Sequence, residues 1–190
     1  MKHLVTPRLL MRPFSPEDLA DLYVLYSDPN VMKYITGGTP RTLEETRAAL
    51  ERMMRNFEEN EYGMFAVFER KEKRFIGRCG LQPLEESGLI ELGYTLLPSA
   101  WGKGYATEAA MQVIRTAFSQ WGLEKIVAIA REENKASTRV MEKIGMTGRS
   151  HEKFYGQDVV MYSLEKEIKT ASDFYQSSFP QSSRLSMPAL

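Results

Sequence analysis

The sequence predicts a mixed α/β (α+β) domain in which helices flank a twisted, mainly antiparallel sheet. Three observations predict it. Strand-like and helix-like segments alternate through most of the 190 residues. Three strand-like runs between residues 62 and 97 are separated by short turns, the pattern of an antiparallel meander. A strand, a long helix and a buried apolar strand then follow over residues 89–130. A strand–helix–strand crossover of that kind places a parallel pair inside a mixed sheet.

The elements follow in order. Leu9–Arg12 reads as a first strand. Ser15 then precedes Pro16, Glu17 and Asp18, an N-cap followed by proline and early acids. Leu19, Leu22, Tyr23, Leu25 and Tyr26 continue at helical spacing until Asp28-Pro29-Asn30 stops the helix. Thr42 and Glu45 have the spacing of a capping box, which opens a second helix running to about Asn60. Strands are expected over 62–68, 75–81 and 89–97, a long helix over 104–120, and a buried strand over 125–130. A helix from about Lys135 to Ile144 ends at Gly145, and strands near 149–155 and 159–165 close the domain. Composition shifts after about Lys169. The domain is therefore assigned to residues 1–168, and 169–190 to a Ser/Gln/Pro-rich tail whose Phe174, Tyr175 and Phe179 could dock on a surface.

Composition narrows the function classes. Lys and Arg total 25, as do Asp and Glu, so no basic excess points to nucleic acid. No apolar run is long enough to span a bilayer, and the N-terminus has no apolar signal core. The single cysteine, Cys79, rules out an internal disulfide, and two histidines, His3 and His151, offer little for a metal. The expectation is a cytoplasmic, metal-free protein, monomeric or homodimeric, with Cys79 as a buried inert thiol.

The segment from Ile90 to Ala109 carries the chemistry. A strand enters a turn containing Gly102, Lys103 and Gly104 and passes directly into a helix beginning Tyr105-Ala106-Thr107. Such a turn aims backbone N–H groups at one point, and the helix start adds partial positive charge. Together they suit phosphate or pyrophosphate, with Lys103 offering a further charge. A ligand-free structural turn is the alternative. Thr107 stands where a dinucleotide fingerprint needs its third glycine, and no Walker sequence is present.

This turn, with Thr6–Phe14, Glu91-Leu92-Gly93-Tyr94 and Asn134–Met146, resembles the GNAT (Gcn5-related) N-acetyltransferases, in particular the ribosomal-protein N-terminal acetyltransferase branch. The resemblance spans roughly residues 4–167. It implies the GNAT fold, a sheet splayed between the fourth and fifth strands, with acetyl-CoA in the splay and its pyrophosphate on residues 102–107. It also implies a bulge in the fourth strand that frees backbone N–H groups near Leu96 and Leu97 for the pantetheine arm and the thioester oxygen.

Glu91 is then the general base or the holder of a relay water; otherwise it is a strand glutamate. Asn134 is similar to the family asparagine that bonds pantetheine or a catalytic water, and it also suits an N-cap. Ser137 lies one turn on and faces the same cleft or solvent. Met141 replaces the tyrosine that often protonates the departing thiolate. The implied reaction moves acetyl from acetyl-CoA to a primary amine, either a peptide N-terminus or a small molecule. A non-catalytic acyl-CoA sensor, or a protein using the same turn for ATP, is the alternative.

Overall fold

The computed structural model describes residues 3–166. The expected tail, with Phe174, Tyr175 and Phe179, lies outside the described residues. One eight-stranded sheet organises the rest. Its strands are β1 (Leu4–Val5), β2 (Leu9–Pro13), β3 (Met64–Glu69), β4 (Arg74–Pro83), β5 (Ile90–Leu96), β6 (Lys125–Ala130), β7 (Thr147–Phe154) and β8 (Gln157–Glu165). Their order across the sheet is β1-β2-β3-β4-β5-β6-β8-β7.

Every pairing is antiparallel except β5 with β6, the parallel pair that the crossover helix demands. That parallel pair touches at one register position, Glu91 opposite Val127. The sheet therefore opens into a splay immediately past Glu91.

The helices are α1 (Leu19–Ser27), α2 (Pro29–Met32), α3 (Leu43–Asn60), α4 (Tyr105–Gln120) and α5 (Lys135–Lys143). Both expected N-terminal signals are realised. Thr42 accepts the Glu45 N–H at 3.2 Å while the Glu45 carboxylate accepts the Thr42 N–H at 2.8 Å. Ser15 and Asp18 form the second capping box, around a 3-10 turn over Pro16–Asp18. Asp18 also takes both terminal nitrogens of Arg12, at 2.7 and 2.6 Å, which fastens the end of β2 to the start of α1.

Two elements differ from expectation. The two-residue β1 pairs with Leu10 and Met11, a contact too short to show as periodicity. Asp28-Pro29-Asn30 ends α1 but also starts α2, because the Asp28 carboxylate accepts the Asn30 N–H at 2.8 Å and Pro29 fits the first helical position.

Two apolar cores lie on opposite faces of the sheet. One joins α4 and Met141 of α5 to Cys79, Leu81, Leu92 and Leu96. The other joins α1, α2 and α3 to Met64, Ala66 and Phe75. Cys79 is buried, and desolvation pushes its thiol up to about 12. Among the described residues no helix is long and apolar enough to cross a membrane.

Candidate active site

A cleft of about 1190 Å³ runs through the splay and is lined by residues from both faces of the sheet. Its first wall is the turn before α4. Gly102 and Gly104 adopt φ of +72° and +78°, in the left-handed region that glycine enters without steric cost. The first bond of α4 runs from the Glu108 N–H to the Gly104 carbonyl, and Gly104 has no side chain with which to cap the helix. The N–H groups of Tyr105, Ala106 and Thr107 therefore lead the helix with no intrahelical acceptor.

Arg8 holds this turn in place, a role that its position on the N-terminal segment did not reveal. Its Nε donates to Glu108 at 2.6 Å, its Nη1 to the Lys103 carbonyl at 2.9 Å, and its guanidinium covers the Tyr105 ring at 4.6 Å. Glu108 also accepts the Thr6 hydroxyl and the Arg8 N–H. The Lys103 side chain is exposed and is not part of the cleft wall, so its backbone rather than its charge is built into the turn.

The second wall is the free edge of β5. Pairing of β5 with β4 is unbroken from Ile90 to Leu96, so the expected bulge is not seen there. The Leu97 N–H donates to the Ile76 carbonyl at 2.9 Å and is not free. Backbone groups alternate in direction along a strand, so the N–H groups of Tyr94 and Leu96 point to the other edge, which β6 has left. The splay, rather than a bulge, exposes them. Trp101 donates its indole N–H to the Leu96 carbonyl at 2.7 Å and ties the turn to this edge.

Register divides the side chains of β5 between the two faces. Glu91 stands opposite Gln82, Gly93 opposite Gly80 and Thr95 opposite Arg78, all toward α1 and α3. Tyr94 projects to the α4–α5 side. Glu91 is 7% exposed and accepts Gln82 Nε2 at 2.8 Å and the Tyr155 hydroxyl at 3.4 Å. Burial raises its pKa above the ordinary carboxylate value, against smaller opposing effects of Gln82 and Arg78. The Tyr155 hydroxyl is in turn pushed up to about 12, by burial and then by Glu91. Tyr155 comes from the β7–β8 turn, 64 residues away, so no local pattern connected the two.

Asn134 is the N-cap of α5, its Oδ1 accepting the Ser137 N–H at 3.2 Å. The Ser137 hydroxyl and the Tyr94 hydroxyl are 2.9 Å apart, and Tyr94 also reaches the Ser137 carbonyl at 2.9 Å. Asn134, Ser137, Tyr94 and Glu91 all border the cleft. Met141 is 1% exposed and contributes to the core as well as to the cleft floor. Asn134→Ala removes the cap and is expected to cost about 1 kcal/mol of stability. Denaturant unfolding checks this, and an unchanged midpoint would leave Asn134 without a structural role.

A strand-to-helix turn beside a splayed parallel pair stands within a segment that matches a known family. The profile of the acetyltransferase (GNAT) domain matches residues 8–147. The chain belongs to the GNAT acetyltransferase family. An uncharacterized N-acetyltransferase of Bacillus subtilis, YnaD, is 36% identical over 144 residues, 76% of this chain and 82% of that protein. The crystal structure of a GNAT-family acetyltransferase from Bacillus anthracis shares 30% identity, with a TM-score of 0.74 over 86% of this chain and 98% of that one. The ribosomal L7/L12 α-N-protein acetyltransferase RimL, solved with coenzyme A, shares the fold at 18% identity, with a TM-score of 0.74 over 86% and 98% of the two chains. This GNAT protein is accordingly an acetyl-CoA-dependent N-acetyltransferase.

Proposed function

We propose that acetyl-CoA lies on the α4–α5 side of the splay and that a primary amine reaches the thioester from the α1–α3 side. The N–H groups of Tyr105–Thr107 hold the pyrophosphate. The N–H groups of Tyr94 and Leu96 hold the pantetheine arm and the thioester oxygen. Asn134 borders the same arm.

Chemistry starts with a proton. An ammonium has no lone pair, so it must lose a proton before attack. Glu91 accepts that proton, directly or through one water. Its burial and raised pKa bring it closer to the amine in proton affinity than an exposed carboxylate would be. The freed nitrogen attacks the carbonyl carbon, and negative charge moves onto the oxygen facing the β5 edge. The C–S bond then breaks. The nitrogen gives up its second proton as the amide forms, and that proton reaches the leaving thiolate by way of the Ser137 hydroxyl, which is hydrogen-bonded to the Tyr94 hydroxyl, so both hydroxyls end protonated. This pair stands one helical turn from Met141, where the family tyrosine is missing.

The observation that carries the reading is Glu91 itself, a buried carboxylate at the last contact before the splay opens, with no salt bridge among the described residues. The test is CoA thiol release with a panel of amines, including a short peptide with a free N-terminus. Release with at least one amine is expected. Tight acetyl-CoA binding with no thiol release from any acceptor would instead make the chain a sensor.

A further inference from the structure

The α1–α3 side of the cleft holds arginines that no carboxylate meets in an ion pair among the described residues. Arg41 stands at the entry to α3, where its N–H donates to the Tyr26 carbonyl at 3.0 Å. Its guanidinium lies 4.6 Å over the Tyr26 ring and makes no hydrogen bond or ion pair among the described residues. Glu45, the acid whose charge acts on Arg41, is spent on the Thr42 capping box. Arg78, from β4, flanks the same ring at 5.7 Å. Its Nη1 meets only the Met64 sulfur, at 3.2 Å, and its Nε is buried without a partner. Arg52 and Arg55 of α3 are exposed at the mouth, and the acids lining the cleft are Glu59 and Glu91. Burial, reinforced by Arg78 and Arg52, lowers the pKa of Arg41.

Desolvating two guanidinium groups around one ring is costly unless an anion arrives to pair with them. The planar fork of arginine matches a carboxylate or phosphate with two parallel bonds. These arginines face the α1–α3 side whereas α4 packs on the opposite face, so the pyrophosphate proposed for the α4 turn is not that anion. Their position relative to Glu91 is also informative. A Cβ built on Gly93 would lie 3.9 Å from Arg78 Nη1, so that group sits above Gly93. Gly93 is two residues from Glu91 on the same face, roughly 7 Å along the strand.

Resting on the reading of Glu91 as the proton acceptor, we infer that the acceptor substrate is a primary amine bearing an oxyanion a few bonds from its nitrogen, held by Arg41 and Arg78 beside Tyr26. A polycation is disfavoured at the same place, because its second ammonium would meet the two guanidinium groups. The amine nitrogen forms the new amide bond as the C–S bond breaks, and the oxyanion takes no part in the chemistry.

Three amines of one chain length test this: 4-aminobutyrate, 4-aminobutanamide and 1,4-diaminobutane, with 3-aminopropylphosphonate to distinguish a phosphorus oxyanion from a carboxylate. Expected kcat/KM for 4-aminobutyrate or the phosphonate is at least fivefold above the amide, with the diamine lowest. In Arg41→Met and Arg78→Met that preference should fall below twofold, while the acetyl-CoA Kd is unchanged. Arg41→Lys should keep part of it. Because Arg78 also acts on Glu91, the Arg41 variants carry the most weight. Calorimetry of 4-acetamidobutyrate binding to the CoA complex supplies a readout independent of turnover. Binding that weakens at least fivefold in Arg41→Met supports the oxyanion site even if no amine is acetylated, a result that would count against Glu91 alone. Equal or better use of the amide or diamine by the unmodified protein overturns the inference. So does product binding indifferent to both arginines.

Discussion

Glu91→Gln is expected to lower turnover at pH 7 about a hundredfold, the usual worth of a general base, while acetyl-CoA affinity barely changes. The substitution keeps the shape of the side chain. It also keeps hydrogen-bonding capacity toward Gln82 and Tyr155, so the strand pairing of β5 with β4 has no reason to alter. What it removes is the proton acceptor.

The pH dependence separates this from a structural effect. An amine acceptor has a pKa of about 10.4, or about 8 for an α-amine. In the unmodified protein, activity should rise as Glu91 loses its proton, at a pH above the ordinary carboxylate range because burial raises its pKa. In Glu91→Gln, free amine must form in solution, so activity should keep climbing toward the pKa of the amine. The gap between the two proteins should narrow as pH increases. Near-normal turnover of Glu91→Gln at pH 7 would reduce Glu91 to a buried strand residue and move attention to a water held by Asn134. An equally depressed profile at every pH would point to a damaged fold.

Much of this architecture was legible because it is written locally. The N-cap at Ser15, the capping box at Thr42, the glycine after α5 and the alternation through β3, β4 and β5 are short-range signals that survive folding. The turn at 102–104 was legible for the same reason, since two glycines before a helix mark a strand-to-helix turn within a few residues. Leu97 shows the limit of this. The resemblance placed it with Leu96 among freed N–H groups, but the direction of each N–H depends on the phase of pairing with β4, which sequence does not print. The alternation assigns the cleft edge to Tyr94 and Leu96 instead.

The polar groups around the site were the least legible part. Tyr155 meets Glu91 across 64 residues, and Tyr94 meets Ser137 across 43. Tyr26, Arg41 and Arg78 arrive from a helix, a loop and a strand. Each was an ordinary residue in its own segment. Arg8 stands just before the first expected strand, where nothing local announces its bonds to Glu108 and to the Lys103 carbonyl. Such contacts are fixed by sheet order and by the two-sided covering of the sheet, both tertiary facts.

Gly104→Asp should weaken acetyl-CoA binding at least tenfold, or about 1.4 kcal/mol, with the protein still folded. Gly104 opens α4 at φ of +78°, and a Cβ there would meet only Arg8 Nη2, at 3.5 Å, so space is not the obstacle. Aspartate tolerates the left-handed region better than most side chains, which limits the strain. The loss comes from charge. A carboxylate at the start of α4 occupies the field that the N–H groups of Tyr105–Thr107 create, and it repels the pyrophosphate. It can also draw Arg8 away from Glu108 and the Lys103 carbonyl, loosening the turn itself. Gly104→Ala separates the two effects, since it carries at least as much backbone strain without the charge and should cost less than threefold in affinity. Calorimetry on both variants, with thermal unfolding as the check on folding, decides the matter. If Gly104→Asp binds acetyl-CoA as the unmodified protein does, the pyrophosphate is not on this turn. If both variants lose affinity equally, backbone geometry rather than the electrostatics of the helix start holds the coenzyme.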